Sequence, residues 1–292
     1  MKRKDCLKFI RSIDDKEKIQ SLLVEVVKAG DVNKRGTWSQ HANKLLKWIH
    51  GGLVDPAPFT IFRPNGNKKL PFYAFSSLPF ADCPGKGACV KYCYSLKAWR
   101  YPAAFFRQLQ NSLLMRNNKQ MIAQAWQAIP QARTVRLFVD GDFPNIDLLR
   151  FFMDLCKARQ DLSVYGYSKS WQEFVSLNST GYEWPSNYLV NQSNGSRWIN
   201  TGIGNAFLQL PVVRGAFDAV PVDKSFIKSR AYQDKANPGS DLYRKAVKEK
   251  LKAMHKRVFA CPGNCGNCLP NGAHACGSKS FDGVAIGIGI HA

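Results

Sequence analysis

Seven of the nine cysteines in this chain lie in two short stretches, and thiols at such spacings could hold metal. The early stretch, "CPGKGACVKYC", has the spacing C-x5-C-x3-C, and the late stretch, "CPGNCGNCLPNGAHAC", has the spacing C-x3-C-x2-C-x7-C. Because nothing in the chain looks secreted, we expect reduced thiols that bind metal rather than disulfides. The candidate metal ligands are Cys83, Cys89, Cys93, Cys261, Cys265, Cys268 and Cys276.

The early group favours an iron–sulfur cluster over zinc. Zinc needs a fourth ligand, and no histidine lies near these three cysteines in the sequence. Three thiolates in one loop suit a 4Fe–4S cluster whose fourth iron is open or is ligated from elsewhere in the chain.

The first three thiols of the late group are too closely spaced for the two C-x2-C knuckles of a zinc ribbon. We therefore favour an iron–sulfur cluster here too, with His274 as a bystander and zinc as the alternative. The spacing allows one cluster shared by both groups or two separate clusters.

An acidic turn follows a strand-like segment, "TVRLFV", in the middle of the chain. Ligands of parallel α/β sheets gather beyond the carboxyl ends of strands, and the early cysteines also follow a strand. The alternative without a function is a turn with a helix cap. A ligand site is favoured because the acidic turn and the early cysteines should lie at the same edge of the sheet. The predicted catalytic residues are Asp140, Asp142 and Lys169, and the predicted cofactor-binding residues are Tyr92, Gly141, Asp142 and Gln192.

The elements that must position these residues change character along the chain. Residues 1–65 read as a helical segment, and residues 66–230 alternate short strands with helices, which predicts a parallel sheet. Residues 231–292 read as a basic helix with apolar residues at helical spacing over 240–258, a cysteine-rich tail and a closing strand in "VAIGIGI". We predict an α/β fold with a parallel, partial TIM-like barrel, an N-terminal helical segment and a C-terminal cluster-binding tail, with an open α/β sheet as the alternative to the barrel.

Charge is the strongest global feature, because 42 Lys and Arg against 21 Asp and Glu leave a net charge of +21. Such an excess favours a nucleic-acid partner over mere solubility, although it does not distinguish DNA from RNA. The Lys and Arg residues of 224–257 are the candidate phosphate contacts, with an ordinary solvated helix face as the alternative.

No apolar run approaches the roughly 20 residues that cross a bilayer. The N-terminal residues, "MKRKDCLKFIRSIDDKEK", carry charges throughout and lack an apolar signal core. We therefore expect a cytoplasmic protein with no membrane partner, of an oligomeric state that the sequence leaves undetermined.

The order of strand, three-cysteine loop, helix, strand and acidic glycine turn resembles the opening of a radical S-adenosylmethionine enzyme. Those enzymes place an aromatic residue before the third cysteine, as Tyr92 stands before Cys93. The "DGDF" turn loosely matches their Gly-Gly-Glu-like turn, whereas their usual spacing, C-x3-C-x2-C, differs from the one here. The resemblance implies a site cluster and leaves S-adenosylmethionine binding open.

The overall layout resembles more closely the phage and plasmid family named after mycobacteriophage gene eighty-eight. The shared features are the early cysteines, the "GDF" strand end, the "YGYSKS" strand and the late cysteines, over roughly residues 70–280. This resemblance implies an iron–sulfur protein of mobile genetic elements with no settled reaction.

Three hypotheses about function follow. The first is a radical-S-adenosylmethionine-like iron–sulfur protein that binds or modifies nucleic acid. The second is a non-enzymatic nucleic-acid-binding or regulatory protein whose clusters are structural or redox-sensing. The third is a zinc protein whose late thiolates hold the C-terminal tail. Whether the chain is an enzyme stays undecided at this level.

Overall fold

The computed structural model describes the chain except for residues 2, 31–36, 67–69, 224, 227–237, 267, 270–273 and 291–292. The helices are α1 (Arg3–Arg11), α2 (Lys16–Ala29), α3 (Trp38–His50), α4 (Ser95–Ala98), α5 (Pro102–Asn117), α6 (Lys119–Gln127), α7 (Ile146–Ala158), α8 (Trp171–Ser179), α9 (Gly202–Leu208) and α10 (Pro238–Lys252). The strands are β1 (Tyr73–Ala74), β2 (Thr134–Leu137), β3 (Ser163–Ser168), β4 (Tyr188–Ser193), β5 (Val213–Val220), β6 (Val258–Ala260) and β7 (Ala285–Gly289). Short 3-10 turns span Ala88–Tyr92, Ala275–Gly277 and Lys279–Phe281.

Seven strands form one sheet in the order β1-β2-β3-β4-β5-β7-β6, and every neighbouring pair is parallel. The predicted parallel α/β fold is therefore confirmed. Within the described residues, β1 and β6 remain edges of the sheet, so the sheet is open rather than a closed barrel.

One face of the sheet, the helical face, carries the main hydrophobic core. Val135 and Leu137 of β2 and Val164 of β3 are buried there against apolar side chains of the helices from α5 to α9. Since side chains alternate across a strand, the residues between them, such as Arg136 and Tyr165, lie on the opposite face, here called the inner face.

The N-terminal helices belong to the same core. Phe9 of α1 meets Phe105 of α5 edge to face at 5.6 Å between ring centroids, and Ile19 and Leu23 of α2 are fully buried. A buried ion pair also fixes α5 to the root of the early cysteine loop, because Arg116 Nη1 lies 2.8 Å from the Asp82 carboxylate.

The C-terminal part of the chain contributes two strands to the sheet. The helical stripe predicted to run through 240–258 ends at Lys252, and Val258 instead begins β6, where it pairs with Ala285 of β7. Met254 is consequently 57% exposed. Sheet pairing of β6 outweighs the helical periodicity because the main chain gains ladder hydrogen bonds with β7.

The described residues between β6 and β7, which are 261–266, 268–269 and 274–284, cover the inner face of the sheet. Arg214, 1% exposed, anchors this segment: its Nη1 donates to the carbonyls of Phe281 and Val284, both at 2.7 Å. The late cysteines therefore lie against the inner face of the sheet. None of the helices in the described part of the chain is long and apolar enough to cross a membrane.

Candidate functional site

The early cysteine loop lies across the carboxyl ends of the central strands. At β2, Ser77 N donates to the Asp140 carbonyl at 3.0 Å. At β4, Cys89 N donates to the Gly195 carbonyl at 3.1 Å, and Lys86 forms an antiparallel bridge with Ser196. The loop thus has the position at the strand ends in which parallel α/β proteins bind ligands.

Glycines allow this close approach. A Cβ atom added at Gly85 would lie 1.6 Å from the carbonyl oxygen of Lys169, which follows β3. A Cβ atom at Gly87 would lie 2.6 Å from Arg197 N. The loop and the strand ends therefore touch backbone to backbone.

Replacing Gly85 by alanine is expected to displace the cysteine loop and to cost about 3 kcal/mol of unfolding free energy, because the clash is with a main-chain carbonyl. The matched control is Gly202→Ala at the start of α9, where an added Cβ would meet nothing within 4 Å. That control should change stability by less than about 0.5 kcal/mol. Urea unfolding of both variants makes the measurement, and equal stabilities would contradict the close approach.

Asp142 ties the ends of β2 and β3 together. Its carboxylate accepts hydrogen bonds from Phe143 N at 2.9 Å, Ser168 Oγ at 2.9 Å, Lys169 N at 2.6 Å and Ser170 N at 3.2 Å. Burial raises the pKa of this carboxyl, and the hydrogen bonds from Lys169 and Phe143 oppose the increase. The carboxylate is 3% exposed and is already occupied by four donors.

Asp140 is linked to the third early cysteine, Cys93, through Ser95, which lies two residues after Cys93. Ser95 Oγ donates to Asp140 Oδ1 at 2.5 Å. Burial raises the pKa of the Cys93 thiol, while the backbone N–H and hydroxyl of Ser95 and the N–H of Leu96 lower it. Donors that face a sulfur in this way stabilise a thiolate.

Cys83 lies near two of the three predicted catalytic residues, Asp142 and Lys169. Burial raises the pKa of the Cys83 thiol well above its usual value, the charge of Asp142 adds to the increase, and the charge of Lys169 opposes it. Lys169 Nζ donates to Ser193 Oγ at 2.6 Å, at the end of β4. Cys83, Asp142 and Lys169 therefore share one edge of the sheet, as the sequence predicts.

The remaining predicted cofactor-binding residues divide into two groups. Gly141, at φ +78°, approaches Ser77 so closely that a Cβ atom would lie 2.1 Å from its Oγ, and Tyr92 Oη lies against Gly195. These two residues help to seat the loop. Gln192, in contrast, donates from Nε2 to the Gly204 carbonyl of α9 at 2.9 Å, on the helical face.

The late cysteines gather on the inner face of the sheet. Burial, followed by the charges of Cys276 and Cys265, raises the pKa of Cys261 well above its usual value. Gly263 N donates to Cys261 Sγ at 3.3 Å, and Ala275 N donates to Cys268 Sγ at 3.4 Å. Two of the four late sulfurs thus accept backbone hydrogen bonds, and all four lie near enough for their charges to interact.

Aromatic side chains of β3 line the floor beneath the late cysteines. Tyr165 packs with Cys276 in one buried cluster, to which Tyr167, Cys261 and Cys268 also contribute. Burial raises the pKa of Cys276 to about 12, and a hydrogen bond from Tyr167 opposes the increase. His274 is sandwiched by Tyr165 and Phe72, with ring centroids 4.4 Å and 4.7 Å away, and burial lowers its pKa to about 4, so the ring is neutral at pH 7.

One pair that the sequence does not reveal also lies near the early loop. His255 Nε2 is 2.6 Å from the carboxylate of Asp218, and Asp218 is close enough to Tyr92 to raise the pKa of that phenol, after the larger effect of burial. Asp218 is in β5 and His255 follows α10, so only the fold brings them together. No spacing rule in the sequence links residues so far apart.

Within the described residues, no three His, Cys, Asp or Glu side chains are grouped closely enough to hold a single metal ion. None of the nine cysteines is in a disulfide. The roles assigned above to individual residues stay predictions.

The fold and this site define a parallel α/β protein with one cysteine loop at the carboxyl edge of its sheet and a second cysteine group on the inner face. A family model described as Gene product 88 matches residues 54–276, which is well over half of the chain, and the chain belongs to this phage-type gene-product family. The predicted resemblance to the family named after gene eighty-eight is thereby confirmed, and its iron–sulfur and radical-S-adenosylmethionine-like character stays a prediction. No curated protein and no solved structure matches the chain.

Proposed function

We propose that this chain is an iron–sulfur protein with a radical-S-adenosylmethionine-like, partial-barrel architecture that binds or modifies nucleic acid. The observation that carries the proposal is the placement of the two cysteine groups. One lies across the carboxyl ends of the central parallel strands, and the other lies on the inner face of the same sheet. A cluster held at the first position would face the mouth of the half-barrel.

The donor set fits thiolate-bound iron and sulfide. Seven thiols outside disulfides are available, and backbone N–H groups face the sulfurs of Cys261 and Cys268. Hydrogen bonds to sulfur are among the features that tune iron–sulfur centres. Cys83, Cys89 and Cys93 would hold one cluster, and Cys261, Cys265, Cys268 and Cys276 would hold a second.

A bound cluster would supply one-electron chemistry, and S-adenosylmethionine is the proposed ligand of an iron left open by the three early thiols. The protein's own contribution is to position the ligand and to exclude water from it. Lys169 and Asp140 lie at the same strand ends as the early loop and would orient a ligand there.

Metal and sulfide analysis of protein purified without air tests the cluster proposal. We expect iron and acid-labile sulfide in equal amounts and an absorbance band at about 400 nm. A colourless preparation that contains zinc and no iron would overturn it in favour of the zinc alternative.

A groove of about 620 Å³ between α10 and the late cysteines supports the nucleic-acid part of the proposal. Its basic lining consists of Arg244, Lys245, Lys248 and Lys252. Asp241 and Glu249 also line it, and Asp241 pairs with Arg244. Lys224 and the basic residues of 227–237, also candidates from the sequence, lie outside the described residues.

The double variant Lys245→Glu/Lys248→Glu is expected to bind DNA or RNA at least about tenfold more weakly and to reduce the salt slope of binding by about two, one for each lost phosphate contact. The control, Lys18→Glu/Lys28→Glu on α2, makes the same change in net charge away from the groove. Mobility shifts at several salt concentrations measure both. Equal weakening by the control would mean that net charge, and not the groove, governs binding.

The non-enzymatic alternative also has an observation in its favour. The four hydrogen bonds that occupy the Asp142 carboxylate give this predicted catalytic acid a structural task. Titration of S-adenosylmethionine into the reduced protein distinguishes an enzyme from a non-enzymatic binding protein. A changed cluster spectrum with release of 5′-deoxyadenosine supports an enzyme, and an unchanged spectrum without cleavage supports a binding protein.

A further inference from the structure

Arg136 is a cation on the inner face of the sheet that forms no salt bridge within the described residues. It pairs in register with Tyr165, and its guanidinium lies 4.5 Å from the ring centroid of Tyr167. Within the described residues, its Nε is buried without a hydrogen-bond partner. Burial raises the pKa of the Asp140 carboxyl, and the charge of Arg136 is one of the effects that oppose this increase.

Both cysteine groups approach this cation. On one side, the late cysteines pack on Tyr165 and Tyr167, the two phenols that flank Arg136. Burial lowers the pKa of the Arg136 guanidinium, and the charges of nearby groups, Tyr94 and Cys265 among them, outweigh that effect. On the other side is Tyr94, next to Cys93 in sequence, whose hydroxyl donates to the Val139 carbonyl.

A guanidinium keeps its charge at every pH that a protein tolerates, and burying it is unfavourable unless an anion lies near. Thiolate-ligated iron–sulfur clusters carry net negative charge, which grows by one unit on reduction. A nearby fixed cation therefore stabilises the reduced form more than the oxidised form.

We propose that Arg136 is the fixed counter-charge of the cluster held by the late cysteines and raises its reduction potential. This inference rests on the proposed iron–sulfur function. In the reduction it concerns, one electron passes from the titrant to the cluster. Arg136 is a positioning residue that exchanges neither electron nor proton.

The test is a redox titration with dithionite, followed by electron paramagnetic resonance, on full-length Arg136→Gln and Arg136→Lys proteins. The glutamine variant should need a potential lower by about 59 mV or more, which is a tenfold change in the ratio of oxidised to reduced cluster for one electron. The lysine variant, which keeps the charge, should stay near the wild-type value. Arg133→Gln is the control, because Arg133 is exposed just before the same strand.

Iron content keeps the outcomes distinct. If the wild-type protein holds no iron, the proposed function fails and this inference fails with it. If the wild-type protein holds iron and Arg136→Gln titrates at an unchanged potential, only the counter-charge is overturned. If Arg136→Gln folds but loses the late cluster, rescue by lysine supports the counter-charge, whereas equal loss in the lysine variant contradicts it.

Discussion

Replacing Cys93 by alanine is expected to remove the early cluster, a loss of about four iron atoms per chain if that cluster is 4Fe–4S. Cys93 is one of only three thiols in the early loop, and donors from Ser95 and Leu96 face its sulfur. A cluster that rests on three protein thiolates has no spare ligand. Iron analysis and the visible spectrum of the variant, prepared without air, make the measurement.

Cys156→Ala is the matched control. Cys156 is a fully buried thiol of α7 within the main core, far in sequence from both groups. The control should lower stability by about 1 kcal/mol and leave the iron content unchanged. Full iron retention in Cys93→Ala would exclude the early loop as a cluster site, even if the late group still held iron.

Replacing Asp142 by alanine is expected to lower the unfolding free energy by about 3–5 kcal/mol. The change would leave the backbone N–H groups of Phe143 and Lys169 without an acceptor, whereas Ser170 N would keep its hydrogen bond to Ser168 Oγ at 3.0 Å. It would also release the end of β3 from the end of β2. Chemical denaturation with urea measures the loss, and the early loop should become more accessible to thiol-modifying reagents at the same time.

The control for this prediction is Asp241→Ala. Asp241 is an aspartate that forms an ion pair with Arg244, but its side chain is 73% exposed, so its loss should cost less than about 1 kcal/mol. If Asp142→Ala were as stable as this control while losing ligand binding, Asp142 would be a ligand-holding residue instead of a structural one.

Several elements of the fold could be predicted because their signals are local. The strands β2, β3 and β4 and the helices between them follow from short apolar runs that alternate with helical periodicity. Glycine in "DGDF" marks a turn after β2, and the observed φ of +78° at Gly141 is the conformation that glycine adopts most readily. The helix predicted to extend to 258 was wrong because β6 gains its stability from pairing with β7, a contact that no local pattern encodes.

The partners of the candidate site were harder to predict. The side chain of Gln192 was assigned to the strand rim, yet it bonds to α9, since alternation along β4 turns it to the helical face. Asp218 and His255 meet across a long stretch of chain. Asp142 was correctly assigned to the same edge as Cys83, but its four hydrogen bonds depend on how the end of β3 folds back towards it.

By itself, the sequence determined the chemistry that is available, which is two groups of thiols and a large excess of positive charge. It also determined the alternation of strands and helices, which favours a parallel sheet. Only the tertiary structure decided that the late thiols fold back over the inner face and that Arg136 lies on the same face, 4.5 Å from the ring centroid of Tyr167. The physical reason is the distance along the chain over which each kind of interaction acts. Side-chain chemistry and periodicity are local properties, whereas the burial of a cation beside a sulfur depends on contacts between segments more than a hundred residues apart.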